Sequence, residues 1–294
     1  MLNESLIKDD ESFSGLYFSF VIIFILAFSV LFSLVTASMP ATSDLYALLS
    51  FAVSPVAIIC ATLFFVYLKG ESVIKVCGFA KTDVKYYVIT LVAFVSVFFG
   101  LGNVNTAFVD FLSEKLGYDA TPITLPEFSA INYLSVVLTV CILPALAEEI
   151  AMRGIVLRGI KSGSVILNAV IGGLLFSLFH MSPMQTPYQF AVGFIFSLIA
   201  IRSGSTVPTV LAHFLNNFAI VTIEYFCPTL FAVQGGWMLA IIIPAIICAV
   251  ATTAFLIIGK DNGKAEKGNL KGFFLCALAG IVICVLMWIS SFLG

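Results

Sequence analysis

The sequence predicts an all-α membrane protein, a polytopic bundle of eight or nine transmembrane helices around an intramembrane polar cavity. Three observations carry that expectation. Hydrophobic residues make up 61% of the 294 residues and charged ones only 10%, with a mean hydropathy of +1.13; a soluble domain carries about 25% charged residues. Apolar runs of membrane-spanning length recur along the whole chain. A few ionisable groups nevertheless lie inside those runs.

A helical span needs roughly 20 apolar residues. By that measure the chain offers nine candidates, at 16–37, 45–68, 86–108, 131–152, 164–181, 188–202, 206–224, 237–258 and 272–293. The fifth to seventh are short or weakly separated, so eight stands beside nine. The first run is too long for a signal-peptide core and follows acidic residues, which makes it a retained anchor. The segment 109–130, with Asp110, Glu114, Asp119 and Glu127, reads as a loop outside the membrane containing a short interfacial helix. The polar run "GKDNGKAEKGNLK" at 259–271 reads as a second hydrophilic loop. With no internal repeat and no soluble stretch, residues 1–294 read as one integral membrane domain. The seven cysteines are scattered without a C-x-x-C, so they count as small hydrophobes and argue against disulfides or a thiolate zinc site.

Lysine and arginine placement gives the topology. With nine spans and a cytoplasmic N-terminus, Lys115 is the one of 14 Lys and Arg residues that falls outside. The expected location is therefore the cell membrane, multi-pass, with the N-terminus inside. Nothing in the charge pattern suggests nucleic acid as a partner. The bilayer is the partner the composition demands.

Against this background the stretch "ALAEEIAMRG" is anomalous. Glu148 and Glu149 are the only carboxylates placed away from a span end. Both histidines also lie in apolar segments, His180 in "FSLFHM" and His213 in "LAHFLNN". A mid-helix charge costs about 2.5–3.5 kcal/mol on insertion scales, and such groups usually face a cavity with a function. Residues four apart share a helix face, so Glu149 can pair with Arg153. Glu148, five residues from Arg153, is about 140° away around the helix and is left as the free carboxylate. His213 and Asn217 share a face by the same rule, and Phe176 lies one turn from His180 as cavity wall. Ala169, Gly173 and Ser177 form a small-residue strip suited to close helix packing. Glu148 and His180 lie 15 and 17 residues from a turn near Gly163, about 23–25 Å, whereas His213 lies only about 14 Å beyond Gly204. A tilt, or a kink at Pro144, has to absorb the difference.

Two histidines and a carboxylate suffice for a catalytic zinc with an open position for water. Glu148, His180 and His213 are the candidate ligands, and amide hydrolysis is the chemistry they suit. A metal-free variant uses Glu148 as general base to water, with Asn217 donating to the oxyanion. Plainer readings exist for each residue taken singly. The glutamates could form an ion pair or ion path, His180 could be a core histidine bonded to a carbonyl, and His213 with Asn217 could be an interhelical hydrogen bond. Arg158 and Lys161 read as interface anchors.

The run Glu148-Glu149-x-x-x-Arg153, then Phe176-x-x-x-His180, then His213-x-x-x-Asn217, resembles the CPBP family. These are the CAAX-protease and bacteriocin-processing (Abi/Rce1-like) intramembrane metalloproteases. The resemblance covers 130–224. It implies a peptide hydrolase with Glu148, His180, His213 and Asn217 at the catalytic core, supported by Glu149 and Arg153. It further implies a membrane-embedded or lipidated peptide or protein as substrate. The alternatives are a non-proteolytic scaffold or bacteriocin self-immunity protein of the same family, and a proton-coupled transporter. The transporter would bring repeat symmetry and discontinuous helices, which the sequence lacks.

Overall fold

Most of the helices begin where a short polar side chain satisfies a free N–H group of the first turn, whereas α7 and α8 begin with a proline in the first turn instead. The computed structural model describes residues 9–118, 124–228, 236–259 and 265–292. Asp9 caps α1 (Asp10–Val35) and Ser43 caps α2 (Asp44–Lys69), which Gly70 ends in the left-handed conformation. Ser72 caps the single turn α3 (Val73–Val76), and Asp83 caps α4 (Val84–Leu116). Ser129 caps α5 (Ala130–Gly159), and Ser164 caps α6 (Val165–Phe179). There follow α7 (Thr186–Ser203), α8 (Val207–Phe226), α9 (Gly236–Ile258) and α10 (Leu270–Ser290), the last capped by Asn269. No strand occurs among the described residues.

Eight of these helices are long and apolar enough to cross a membrane, and α6, with 15 residues, falls short. At 1.5 Å per residue α6 reaches about 22 Å, against about 30 Å of hydrocarbon. The eight-or-nine expectation is met with α6 as the short member. In another place the chain differs from its sequence-based reading. Residues 109–116 are not loop but the end of α4, whose 33 residues extend about 50 Å and so project beyond the bilayer. Asp119 and the remainder up to 123 lie outside the described residues, as do Lys260 and Lys264 of the second polar loop.

Three helix pairs form the main packing, α1 with α10, α6 with α7, and α4 with α9. The core they share is built on large side chains, including Tyr17, Phe18, Phe65, Phe176 and Phe273. Leu34, Val35, Leu275 and Ile247 remain exposed, as lipid-facing residues of a membrane protein must. A Cβ on Gly193 would lie 2.9 Å from Gly173 Cα, so the small-residue strip on α6 does bring α7 into close contact.

One end of the bundle collects the basic residues. Lys69 pairs with Asp10 at 2.7 Å, and Lys161 lies 3.6 Å from Asp10 and 3.4 Å from Glu266. Arg158 donates to the Lys75 carbonyl at 2.8 Å, and Arg202 donates to those of Leu256 and Ile257. The segment from Cys77 to Thr82 is tucked into this end beneath the α7–α8 turn. Thr206 donates its N–H to the Gly78 carbonyl and its hydroxyl to that of Cys77, while Ser205 and Thr82 add bonds to the carbonyls of Ala80 and Ser203. Gly154 permits that approach, because a Cβ there would lie 2.5 Å from the Cys77 carbonyl oxygen. Burial pushes the Cys77 thiol up to about 11, which keeps it a neutral packing group. All seven cysteines are free.

Candidate active site

The site is assembled on α5, and α5 is not a regular α-helix. It is α-helical over Ala130–Val136, π-helical over Val137–Ile142, α-helical over Leu143–Glu149 and π-helical again over Ile150–Val156. A π turn bonds i to i+5, and such turns inside α-helices are frequent at functional sites. The first precedes Pro144, whose missing N–H and ring preclude the regular bond to residue 140. The second separates the glutamates from the basic end. A π stretch advances less per residue than an α-helix. Glu148 therefore lies nearer the basic end than regular geometry allows, which takes up part of its difference in depth from His213.

Glu148 and Glu149 occupy different environments. Glu149 is fully buried and its Oε1 accepts two bonds, from Arg153 Nη1 at 2.8 Å and from His213 Nδ1 at 2.9 Å. The Arg153 guanidinium is itself buried and lies over the Phe176 ring, 4.1 Å from its centroid. Phe176 also meets His180 and His213 edge-on, at 4.8 and 6.2 Å between ring centroids. It is thus more than a wall, since it holds the ion pair and both imidazoles in register. The Glu148 side chain keeps 14% of its surface and pairs with no cation of its own. Its Oε2 lies 3.6 Å from His180 Nε2 and 4.0 Å from His213 Nε2.

The other ring nitrogens show what those Nε2 atoms carry. His180 Nδ1 lies 2.8 Å from the Phe176 carbonyl. A carbonyl only accepts, so Nδ1 holds the proton and a neutral His180 presents a lone pair at Nε2. His213 Nδ1 donates to Glu149 in the same way. With both imidazoles neutral, two Nε2 lone pairs lie within 4.0 Å of the Glu148 carboxylate oxygen, brought there by α5, α8 and the C-terminal end of α6. The plain reading of His180, a histidine bonded to a carbonyl, holds as well, and it is what aims the reactive nitrogen.

Three acceptors this close together call for a group with positive charge or protons between them. Among the described residues no group of three His, Cys, Asp or Glu side chains is placed so that it could hold a metal ion. Glu148, His180 and His213 are of the donor types that zinc takes. Their 3.6 and 4.0 Å separations are slightly wider than the roughly 3.4 Å between ligand atoms on a tetrahedral zinc.

The chain turns sharply just beyond His180. Met181 has φ 50°, the only positive value at a non-glycine residue among the described ones. A β-branched residue is worse tolerated there than an unbranched one. Met181→Ile should therefore cost about 1–2 kcal/mol, visible as a lower melting temperature, and should loosen His180 at the same time.

Asn217 is placed on the same face as His213, as the spacing requires, but its amide is already engaged. Nδ2 donates to the Val140 carbonyl at 3.0 Å. One of its two amide hydrogens is thereby committed to α5, and the other is left for the oxyanion role that spacing suggests. Tyr188 and Asn216, which sequence reasoning missed, lie behind it. Tyr188 donates to Asn216 Oδ1 at 2.6 Å, and Asn216 Nδ2 donates to Asn217 Oδ1 at 3.2 Å.

All of these elements except the basic-end loops fall within one stretch of sequence. Residues 130–219 match the family model of type II CAAX prenyl endopeptidase Rce1-like proteins. This is consistent with the wider CPBP/Abi family. The Rce1-like segment contains Glu148, Glu149, Arg153, His180, His213 and Asn217, and the kind of function it supports is that of a membrane endopeptidase. No curated protein and no solved structure matches the chain.

Proposed function

We propose that this chain is an intramembrane endopeptidase whose hydrolytic centre is Glu148 with His180 and His213. The observation that carries the reading is the approach of two imidazole Nε2 atoms to Glu148 Oε2, with both Nδ1 atoms against acceptors. In that arrangement a water molecule donates one hydrogen to Glu148 and the other to an imidazole lone pair, of His180 or of His213. Glu148 removes a proton as the water oxygen attacks the scissile carbonyl. The free amide hydrogen of Asn217 bonds to the developing oxyanion. Glu148 then returns its proton to the leaving nitrogen, the microscopic complement of its first step. Glu149 and Arg153 touch no substrate; they hold His213 in its tautomer and angle.

A zinc ion is the alternative use of the same lone pairs, in place of the directly held water. Glu148, His180 and His213 are the side chains that would hold it, and it would polarise the water and the carbonyl. Protein stripped with chelator and then titrated with zinc is expected to take up one ion per chain by elemental analysis. Glu148→Ala and His180→Ala should each lose that uptake. Uptake unchanged by both substitutions would place the ion elsewhere.

The substrate class is a membrane-associated or lipidated peptide or protein, with prenylated tails as the first to test given the Rce1-like match. By the positive-inside rule the basic end lies on the cytoplasmic side of the cell membrane, together with the N-terminus. The direct test is cleavage of a farnesylated CaaX peptide by protein in liposomes, with Glu148→Ala as control. Equal cleavage by that variant would retire the proteolytic reading.

A further inference from the structure

The hydrogen bonds behind Asn217 run in one direction only. The Val140 carbonyl is purely an acceptor, so Asn217 must present Nδ2 to it and turn Oδ1 away. That oxygen faces Asn216, which must then present its own Nδ2 and turn its Oδ1 toward Tyr188. Tyr188 completes the series as donor. The observed distances, 3.0, 3.2 and 2.6 Å, form this chain without a break. Asparagine amides are otherwise free to flip. Here the orientation of each is set by its neighbour, and aligned bonds of this kind reinforce one another.

The chain ends on α5, within the π turn that precedes Pro144. Val140 lies four residues before Pro144, so no backbone N–H at 144 is available to bond it. His213, one turn earlier on α8, bonds Glu149 on α5. The helices are therefore clamped at two points, on either side of Glu148 along α5. The clamp fixes the distance between Glu148 and His213 and fixes which way the second amide hydrogen of Asn217 can point.

We propose that Tyr188 and Asn216 are positioning residues of the hydrolytic centre, acting as a one-way relay that orients the Asn217 amide and ties α8 to the Pro144 gap in α5. The inference rests on the endopeptidase reading for its catalytic meaning, though not for its geometry. Neither residue touches the reacting atoms.

Full-length protein in liposomes with a farnesylated CaaX pentapeptide, carrying a fluorophore and a quencher, gives the kinetic test. Tyr188→Phe removes the terminal donor and should lower kcat about tenfold while leaving KM within about twofold. Asn216→Asp keeps the shape but reverses the direction when ionised. A protonated aspartic acid can still donate to Asn217 Oδ1, whereas an ionised one cannot. Its rate should therefore fall as pH rises through its own ionisation, a limb that wild type and Tyr188→Phe lack. A merely structural role would not produce that limb. A second measurement needs no turnover. In protein labelled with 15N-asparagine, the Asn217 side-chain signal, identified by its loss in Asn217→Leu, should exchange its hydrogens about tenfold faster in Tyr188→Phe. Wild-type kcat and pH profile in both variants, or unchanged exchange, would overturn the relay. Cleavage by Glu148→Ala protein would instead overturn the endopeptidase reading and leave the exchange result standing.

Discussion

Glu148→Ala is expected to abolish peptide cleavage, with a fall of about 10²–10⁴-fold or more, while the protein inserts and melts like wild type. The reason lies in what Glu148 does not hold. It bridges no cation, its Oε2 has no hydrogen-bond partner among the described residues, and it retains some exposure. Removing it strands no partner charge and opens no sealed core. His180→Ala and His213→Ala should be equally inactive, but His213→Ala should also lose stability because Glu149 would forfeit one of its two donors. Glu148→Gln separates proton transfer from shape, since the amide keeps the volume and cannot accept the proton. Cleavage assays paired with thermal melts on all four variants check the ordering. Activity persisting in Glu148→Gln would remove the general base from the scheme.

Much of this was legible in the residues, for physical reasons that can be named. Burying charge in hydrocarbon is so costly that few residue types are candidates, and the two glutamates and two histidines stand out against their spans at once. The pairing of Glu149 with Arg153, and the freedom of Glu148, follow from helix periodicity alone. The small strip of Ala169, Gly173 and Ser177 likewise announces a close helix contact. What periodicity could not supply was the departure from periodicity. The π turns of α5 are a compromise between Pro144, the packing of α8 and the loop at Cys77, none of which is local in sequence. Asp110 and Glu114 look like loop residues, yet a helix can run out of the bilayer with its charges in water, and α4 does so. Tyr188 carried no signal, since a tyrosine in an apolar helix is ordinary. Asn216 could have been noticed as the first member of the pair in "LNN". Its value becomes visible only when Asn217 is seen to bond Val140, 77 residues away.

The second large effect concerns stability. Arg153→Ala is expected to destabilise the fold by about 3–5 kcal/mol, because it leaves Glu149 charged and unpaired in a sealed environment. The two side chains keep 1% and 0% of their surface, so the lost partner's charge has no ready replacement. The Arg153 guanidinium also covers Phe176, so its loss releases the ring that steadies both histidines. Glu149→Ala should cost a similar amount from the opposite side, with the guanidinium stranded instead. If the pair serves shape rather than chemistry, removing both charges together should be far milder than removing either. Glu149→Gln combined with Arg153→Met provides that comparison. The amide oxygen introduced by Glu149→Gln can still accept from His213 Nδ1, and the thioether introduced by Arg153→Met can still pack on Phe176. Melting temperatures of the single and double variants, measured in one detergent, form a cycle whose coupling term isolates the ion pair. The double variant should recover most of the lost stability and retain measurable cleavage, unlike Glu148→Ala. A double variant as unstable as Arg153→Ala would show that the helices depend on the charges themselves, and that the line drawn between Glu149 as scaffold and Glu148 as catalyst is in the wrong place.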